Sequence, residues 1–225
     1  MKKTILLLLT LTISQFATGQ INKGAILIEG TVSFNKSETE NEFSVNSSFV
    51  TDELKSTFFA FRPRIGFFTS KTFLIGMGLN YEHNGYEYKT SYDGTQGTTY
   101  SEKSNIYLIN PYIRKFIQLK ENIFFTISGN AFVGLGKVKY GENSEIKSNI
   151  LDLRINVAPG FTYFVSRQWA VTANLGQLFY SYKREKLATD IGLSEQPKNI
   201  DKDYGVSFQF NTFGVGVQYF LRNKE

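Results

Sequence analysis

The chain has 225 residues, no cysteine, a single histidine and a formal net charge of +5 at pH 7. Without cysteine it forms no disulfide, carries no lipid anchor on a cysteine and offers none of the common zinc sites. The basic excess is small and dispersed along the chain, so it does not predict nucleic-acid binding. We expect no metal and no cofactor.

The first residues are typical of a secretory signal peptide. Lys2 and Lys3 precede an apolar run, and small residues follow at 17–19. The apolar run is too short for a spanning helix, which needs ~20 residues. We therefore predict a signal peptide over residues 1–19 and one mature domain over residues 20–225.

After this segment, apolar residues alternate with small, polar or charged ones in eight stretches. Alternation with a period of two is typical of a strand whose two faces meet different surroundings. The eight stretches therefore predict eight strands. They cover residues 24–35, 56–68, 72–86, 104–119, 123–139, 150–165, 168–183 and 204–221.

The links between these strands alternate in length. Three are short turns, at 69–71, 120–122 and 166–167. Four are long and polar, near 36–55, 87–103, 140–149 and 184–203. Outer-membrane barrels have short turns in the periplasm and long loops outside the cell. We predict an all-β, eight-stranded antiparallel up-and-down transmembrane β-barrel with four long extracellular loops and three short periplasmic turns, closed by pairing of the first strand with the last.

The two faces of each strand differ in polarity, which assigns them to the lumen or to lipid. In the sixth strand, Leu153, Ile155 and Val157 alternate with Arg154 and Asn156. An arginine on the lipid face at mid-membrane costs ~2–4 kcal/mol, so the charged row faces the lumen. The inward charged residues are Glu29, Arg62, Arg64, Glu82, Arg114, Asp152 and Arg154.

These seven charges allow two interpretations. An eight-stranded barrel is only wide enough to be filled by side chains, and an unpaired buried charge is costly when opposite charges lie nearby. We therefore predict a paired, structural charge network that plugs the lumen. The alternative is a narrow path for ions or small solutes lined by the same residues. A soluble barrel of the lipocalin type is disfavoured, because its apolar residues would face inward and its charges outward.

The last predicted strand carries a second signal. Its outward row consists of Phe213, Val215, Val217, Tyr219 and Leu221. With this apolar, aromatic strand the chain resembles the small outer-membrane β-barrel family of the OmpX, Ail and OmpA-transmembrane kind. The resemblance implies location in the cell outer membrane, assembly by the barrel-assembly machinery, and contact with outer-membrane lipid and lipopolysaccharide. We expect a monomer.

The single histidine, His83, lies on the outward row near the extracellular end of the third predicted strand. A lipid-modifying site of the deacylase kind needs a serine two residues along the strand, so that nucleophile and base share a face. Tyr81 and Gly85 hold those positions. We therefore predict a surface histidine at the membrane interface and no enzymatic activity.

The second long link is rich in tyrosine. Tyr86, Tyr88, Tyr92 and Tyr100 form a candidate surface-binding loop, because tyrosine supplies contact area at low entropic cost. The same stretch is equally compatible with strands that extend above the membrane. We predict an integral outer-membrane protein with a structural or surface-interaction role, in adhesion or binding, through its loops. A porin-like channel is the alternative and a lipid-modifying enzyme the third hypothesis; the sequence names no extracellular ligand.

Overall fold

The computed structural model of the chain describes residues 21–45, 48–93, 95–141, 146–188, 198–207 and 216–221. The predicted signal peptide lies outside the described residues. The described part contains no helix that is long and apolar enough to cross a membrane. Its strands are β1 (Ile26–Val45), β2 (Ser48–Ser70), β3 (Phe73–Tyr92), β4 (Thr95–Lys120), β5 (Ile123–Tyr140), β6 (Ile146–Phe164), β7 (Trp169–Asn174), β8 (Gln177–Leu187), β9 (Lys198–Ser207) and β10 (Gly216–Leu221).

Eight of these strands form a closed antiparallel ring. The order around the ring is β1, β2, β3, β4, β5, β6, β7 and β10, and β10 pairs back to β1. Residues 26–30 lie opposite residues 217–221 at this closure. The all-β ring of eight antiparallel strands that the sequence predicts is confirmed. The other two strands extend the wall, because β8 pairs with β6 and β9 pairs with β8.

The predicted seventh strand is broken into β7 and β8. Gly176 lies at the break with a φ of 144°, in the region that favours glycine. The ladder with β6 slips by one residue there, since Asn174 faces Gly160 whereas Leu178 faces Val157. This extra residue is a β-bulge, which bends the strand and re-aims the side chains of β8.

The predicted last strand corresponds to β9 and β10. Residues 208–215 between them lie outside the described residues, and with them Phe213 and Val215 of the predicted apolar row. Residues 142–145 and 189–197, from the two later predicted loops, also lie outside. Among the described residues, β9 pairs with β8 alone, and β1 beyond Gly30 pairs with β2 alone.

The prediction of long loops near 36–55 and 87–103 is wrong, because the described residues of both segments, apart from Asp93 in a turn, belong to strands. β1 and β2 stay paired up to Val45 opposite Ser48, and β3 and β4 up to Tyr92 opposite Thr95. The alternation of apolar and polar residues that marks a strand ends in these hairpins, because polar residues hold positions on both faces. Threonine, tyrosine and other residues that fit a pleated surface nevertheless keep the backbone in the ladder. The tyrosine-rich stretch therefore lies in a paired strand hairpin.

Short links join β2 to β3, β4 to β5 and β6 to β7 at one end of the ring, which we name the turn end; the opposite end is the hairpin end. Five phenylalanines inside the turn end contact one another in a closed circle. Neighbouring ring centroids are 4.7 to 6.2 Å apart, and each side chain is at most 4% exposed. Because all five point inward from different strands, they fill the interior at this level. This phenylalanine ring consists of Phe68, Phe116, Phe124, Phe164 and Phe220.

The outer face of the ring has the opposite character to its interior. Large apolar side chains are exposed along adjoining strands, whereas the charged residues listed from the sequence point into the ring. We name these exposed apolar side chains the outward belt. A soluble barrel with an apolar cavity would have the opposite polarity, with apolar residues inside and charges outside. The members of the outward belt include Ile28, Ile65, Phe67, Ile75, Met77, Leu79, Ile109, Ile113, Val133, Ile155, Val157 and Leu178.

Candidate functional site

The inward charges form two networks at different heights in the ring. The lower network, next to the phenylalanine ring, is centred on Glu29 of β1. Arg114 of β4 donates two hydrogen bonds of 3.0 Å to the two oxygens of Glu29, and its Nε donates to Ser128 at 2.8 Å. Arg64 of β2 lies 3.0 Å from Glu29, and Gln218 of β10 donates to the same carboxylate at 2.7 Å. One buried carboxylate thus ties three other strands together through charge-assisted bonds.

Amide side chains extend the lower network across the lumen. Arg64 donates to Asn130 of β5 at 3.3 Å, and Asn130 donates to Asn156 of β6 at 2.7 Å. Asn156 in turn donates to Gln177 of β8 at 2.9 Å. The hydrogen-bonded layer therefore reaches from one side of the ring to the other.

Glycines on neighbouring strands make room for the large inward side chains of this layer. A Cβ atom on Gly78 would lie 2.5 Å from Cγ of Arg64, and one on Gly76 would lie 2.5 Å from the ring of Tyr112. The Arg64 guanidinium lies 4.9 Å from the centroid of the Tyr112 ring, in a cation–π contact. The position of Arg64 is therefore set by three residues. Gly78 faces it on the neighbouring strand, the Tyr112 ring lies beside its guanidinium, and Glu29 binds it.

The upper network is centred on Glu82 of β3. Arg62 of β2 and Arg154 of β6 each lie 3.0 Å from a Glu82 oxygen. Arg154 also binds Asp152 on its own strand, with distances of 2.8 and 2.6 Å. Two arginines and two carboxylates meet here, so the upper network is neutral in formal charge.

The seven charges predicted from the sequence thus separate into two sets. Arg62 and Arg64 are only two residues apart on β2, yet they bind different carboxylates on different strands. The lower set has two arginines for one carboxylate, and Gln218 adds a neutral donor to it. The alternation of the last predicted strand puts Gln218 on the inward face, but the prediction of the network counted only charged residues and so left this neutral donor out.

A cavity of about 720 Å³ lies beside the upper network and is lined by it on one side. Lys183 of β8 and Asp201 and Asp203 of β9 line it as well, and Lys183 faces Asp201 in the ladder. Sequence reasoning missed Asp201 and Asp203 because they fall within the loop predicted at 184–203, and it gave no role to Lys183 at the end of the predicted seventh strand. The alternation of the two aspartates with Lys202 and Tyr204 was the available signal. Charges of both signs make this cavity suited to a small polar solute.

The four tyrosines of the candidate binding surface lie on the β3–β4 hairpin. Tyr88 faces Tyr100 across the ladder, and the rings of Tyr86 and Tyr100 are 6.2 Å apart. These three lie on the inward side of their strands, so they line the mouth of the barrel. Tyr92 lies at the hairpin tip. Burial, and then the Glu102 carboxylate to which its hydroxyl donates, raise the pKa of Tyr100.

His83 lies half-buried on the outer face of β3. Its Nδ1 is 2.9 Å from Oδ1 of Asn105, and the hydroxyl of Tyr81 donates to the same oxygen at 2.8 Å. The amide of Asn105, which His83 contacts, is not a nucleophile. The described residues contain no group of three or more His, Asp or Glu side chains placed to hold a metal ion.

No family model matches the chain, and no curated protein matches it. Among solved structures, the chain is similar to the outer membrane protein OprG from Pseudomonas aeruginosa. The TM-score is 0.44 and the sequence identity 10%, over 91% of this chain and 99% of that chain. At these values the likeness carries no argument about function. The narrower resemblance to the OmpX, Ail and OmpA kind stays a prediction.

Proposed function

We propose that this protein is an integral outer-membrane β-barrel with a closed lumen, and that it has a structural or surface-interaction role at its hairpin end. The observation that carries the proposal is the reversed polarity of the ring, with charges inside and large apolar side chains exposed outside. Soluble monomers rarely expose apolar patches larger than a few hundred Å². A lipid bilayer is the environment in which such a surface is stable.

The boundaries of the outward belt support this proposal. Toward the turn end, the rings of Trp169 and Tyr219 lie 4.7 Å apart, as in the aromatic girdles of membrane barrels. Toward the hairpin end, the outward residues become polar at one height on four adjoining strands. They are His83, Asn105, Lys137 and Asn149, which face one another across the ladders.

The lengths of the strands support the orientation. A strand crosses a bilayer with ~9–11 residues, whereas β2 has 23 residues and β4 has 26. The excess lies at the hairpin end, and long segments are typical of the extracellular side of outer-membrane barrels. The signal peptide predicted over residues 1–19 fits export to that membrane.

The phenylalanine ring and the lower charge network support a closed lumen. We infer a structural or binding role in which the tyrosines at the mouth contact an extracellular ligand, and we expect a monomer in contact with outer-membrane lipid and lipopolysaccharide after assembly by the barrel-assembly machinery. A narrow channel is the second candidate, favoured by the charged cavity beside Glu82. We expect no enzymatic activity, because the hydrogen bond described for His83 goes to the amide side chain of Asn105, which cannot serve as a nucleophile.

Leu79→Arg should lower the unfolding free energy in lipid vesicles by about 2–4 kcal/mol, because Leu79 is 62% exposed on the outward belt, opposite Ile109. Phe49→Arg is the matched control. Phe49 is 70% exposed on the β1–β2 hairpin, beyond the proposed membrane, so this change should stay within ~0.5 kcal/mol. Denaturant titration of both variants checks the result, and equal losses would contradict the membrane assignment.

The wild-type protein should give no stepwise current in planar lipid bilayers. A general porin added to the same bilayer serves as the positive control for insertion. Stepwise openings whose size changes in Arg154→Gln would instead favour the channel, since Arg154 lines the charged cavity.

A further inference from the structure

We propose that the outer face of β4 and β5 binds the phosphate head group of a membrane lipid. The site lies where the outward belt ends, on the side of the hairpin end. The inference rests on the proposed function, because it requires this face to meet the outer leaflet. The site is built on three exposed lysines, Lys103, Lys137 and Lys139, which we name the lysine patch.

The patch concentrates like charges on one face. Lys103 of β4 lies directly opposite Lys139 of β5, and Lys137 lies two residues along from Lys139. Side chains opposite each other in an antiparallel ladder have Cβ atoms ~4.5–5.5 Å apart, and like charges at that separation destabilise the sheet. A bound anion removes this repulsion.

Three other lysines at the hairpin end, Lys36, Lys55 and Lys89, form ion pairs within their own strands. Each has a glutamate two residues away, and the nitrogen–oxygen distances are 2.7 Å for Lys36, 3.1 Å for Lys55 and 2.8 Å for Lys89. In the part of the chain that the structure describes, no carboxylate lies within ion-pair distance of the lysine patch. Glu87 lies near enough to Lys103 to feel its charge, but its carboxylate binds Lys89.

Two adjoining grooves run from the patch down the outward belt. The upper groove, of about 540 Å³, is lined by Lys137, Lys139 and Asn149. The lower groove, of about 620 Å³, is almost entirely apolar, and it shares Tyr107 and Leu135 with the upper one. Both volumes fall in the range of ligand sites, ~300–1,000 Å³.

The arrangement of the lysine patch above an apolar groove matches the chemistry of a phosphorylated lipid. The patch supplies charge for the phosphate, and the apolar groove directly below it supplies contact for an acyl chain. Asn105 lies between them, and its oxygen accepts from Tyr81, which leaves its NH2 group as a donor. Free inorganic phosphate would use the patch without the groove.

The test measures binding of short-chain phosphatidic acid to the folded barrel in neutral detergent micelles by native mass spectrometry. Lys103→Gln/Lys137→Gln/Lys139→Gln should weaken binding on the order of 100-fold, because each lysine near an anionic surface contributes a factor of about five. The matched control, Lys36→Gln/Lys55→Gln/Lys89→Gln, removes the same charge from the same end. It should weaken binding less than about 3-fold, since those lysines already hold glutamates.

The three control lysines carry the same charge as the lysine patch and lie close to it on the outer face. Lys36, Thr57, Gly85, Lys103 and Lys139 form one continuous row across five strands. Equal losses in the two triple variants would overturn the site in favour of general attraction. Inorganic phosphate that competes as well as the lipid, or phosphatidylcholine that binds equally, would also overturn it.

Insertion into neutral vesicles is measured separately, by protection of the proposed membrane strands from protease. Wild-type protein that fails to insert would contradict the proposed function itself. Normal insertion without preference for the phosphorylated lipid would overturn the lipid site alone.

Discussion

Glu29→Ala should lower the unfolding free energy by about 3–5 kcal/mol, because it leaves the buried Arg114 and the partly buried Arg64 without their carboxylate. Glu29 accepts two hydrogen bonds from Arg114 and one from Gln218, and Arg64 lies 3.0 Å from it. The side chains of Glu29 and Arg114 are only 4% and 5% exposed, so water cannot easily replace the lost partner. Denaturant titration of the folded barrel in lipid vesicles measures the loss.

The control for this experiment lies on the same strand. Glu38 also pairs with a basic residue, Lys36 at 2.7 Å, but both side chains are more than half exposed. Exposed pairs of this kind contribute little, so Glu38→Ala should leave stability unchanged within error. If Glu29→Ala were no more damaging than Glu38→Ala, the lower network would not hold the ring together.

Phe68→Ala should lower the unfolding free energy by about 3–5 kcal/mol, the usual range for a buried phenylalanine. Phe68 is completely buried, and its ring lies 5.2 Å from that of Phe116 and 6.0 Å from that of Phe220. Truncation opens a cavity inside the turn end, between the rings of Phe116 and Phe220. Denaturant titration in the same vesicles checks the value.

The neighbouring residue provides the comparison. Phe67 points outward and is 47% exposed, so lipid can fill the space that Phe67→Ala leaves. The loss in this variant should therefore be clearly smaller than in Phe68→Ala. Equal losses would mean that the phenylalanine ring is not the packed core of the turn end.

Assignment of residues to faces needed only the pattern within single strands. Arg62 and Arg64 are two residues apart, and so are Asp152 and Arg154, so a period of two puts each pair on one side. The loops were harder to predict. In the β1–β2 and β3–β4 hairpins polar residues hold positions on both faces, and even buried positions such as Thr90 and Ser101 are polar. These segments therefore carry no alternation of apolar and polar residues by which to recognise a strand.

Contacts between strands could not be predicted in the same way. A closed ring requires a stagger between neighbouring strands, and that stagger decides that Arg64 meets Glu29 while Arg62 meets Glu82. The five phenylalanines lie one at the turn end of each of five strands. Phe68 and Phe220 are far apart in sequence, and only closure of the ring through the β1–β10 pairing brings them into contact.

The sequence by itself therefore determined the eight-stranded antiparallel ring and the residues that share its inner face, because both follow from a period of two and from the cost of charge in an apolar surrounding. Only the tertiary structure decided which charges pair, where the phenylalanine ring closes the interior and which residues of β8 and β9 line the cavity. The pairing of charges and the phenylalanine contacts depend on the stagger between strands, and the position of β8 depends on the bulge at Gly176. Neither feature can be predicted from the residue pattern of a single strand.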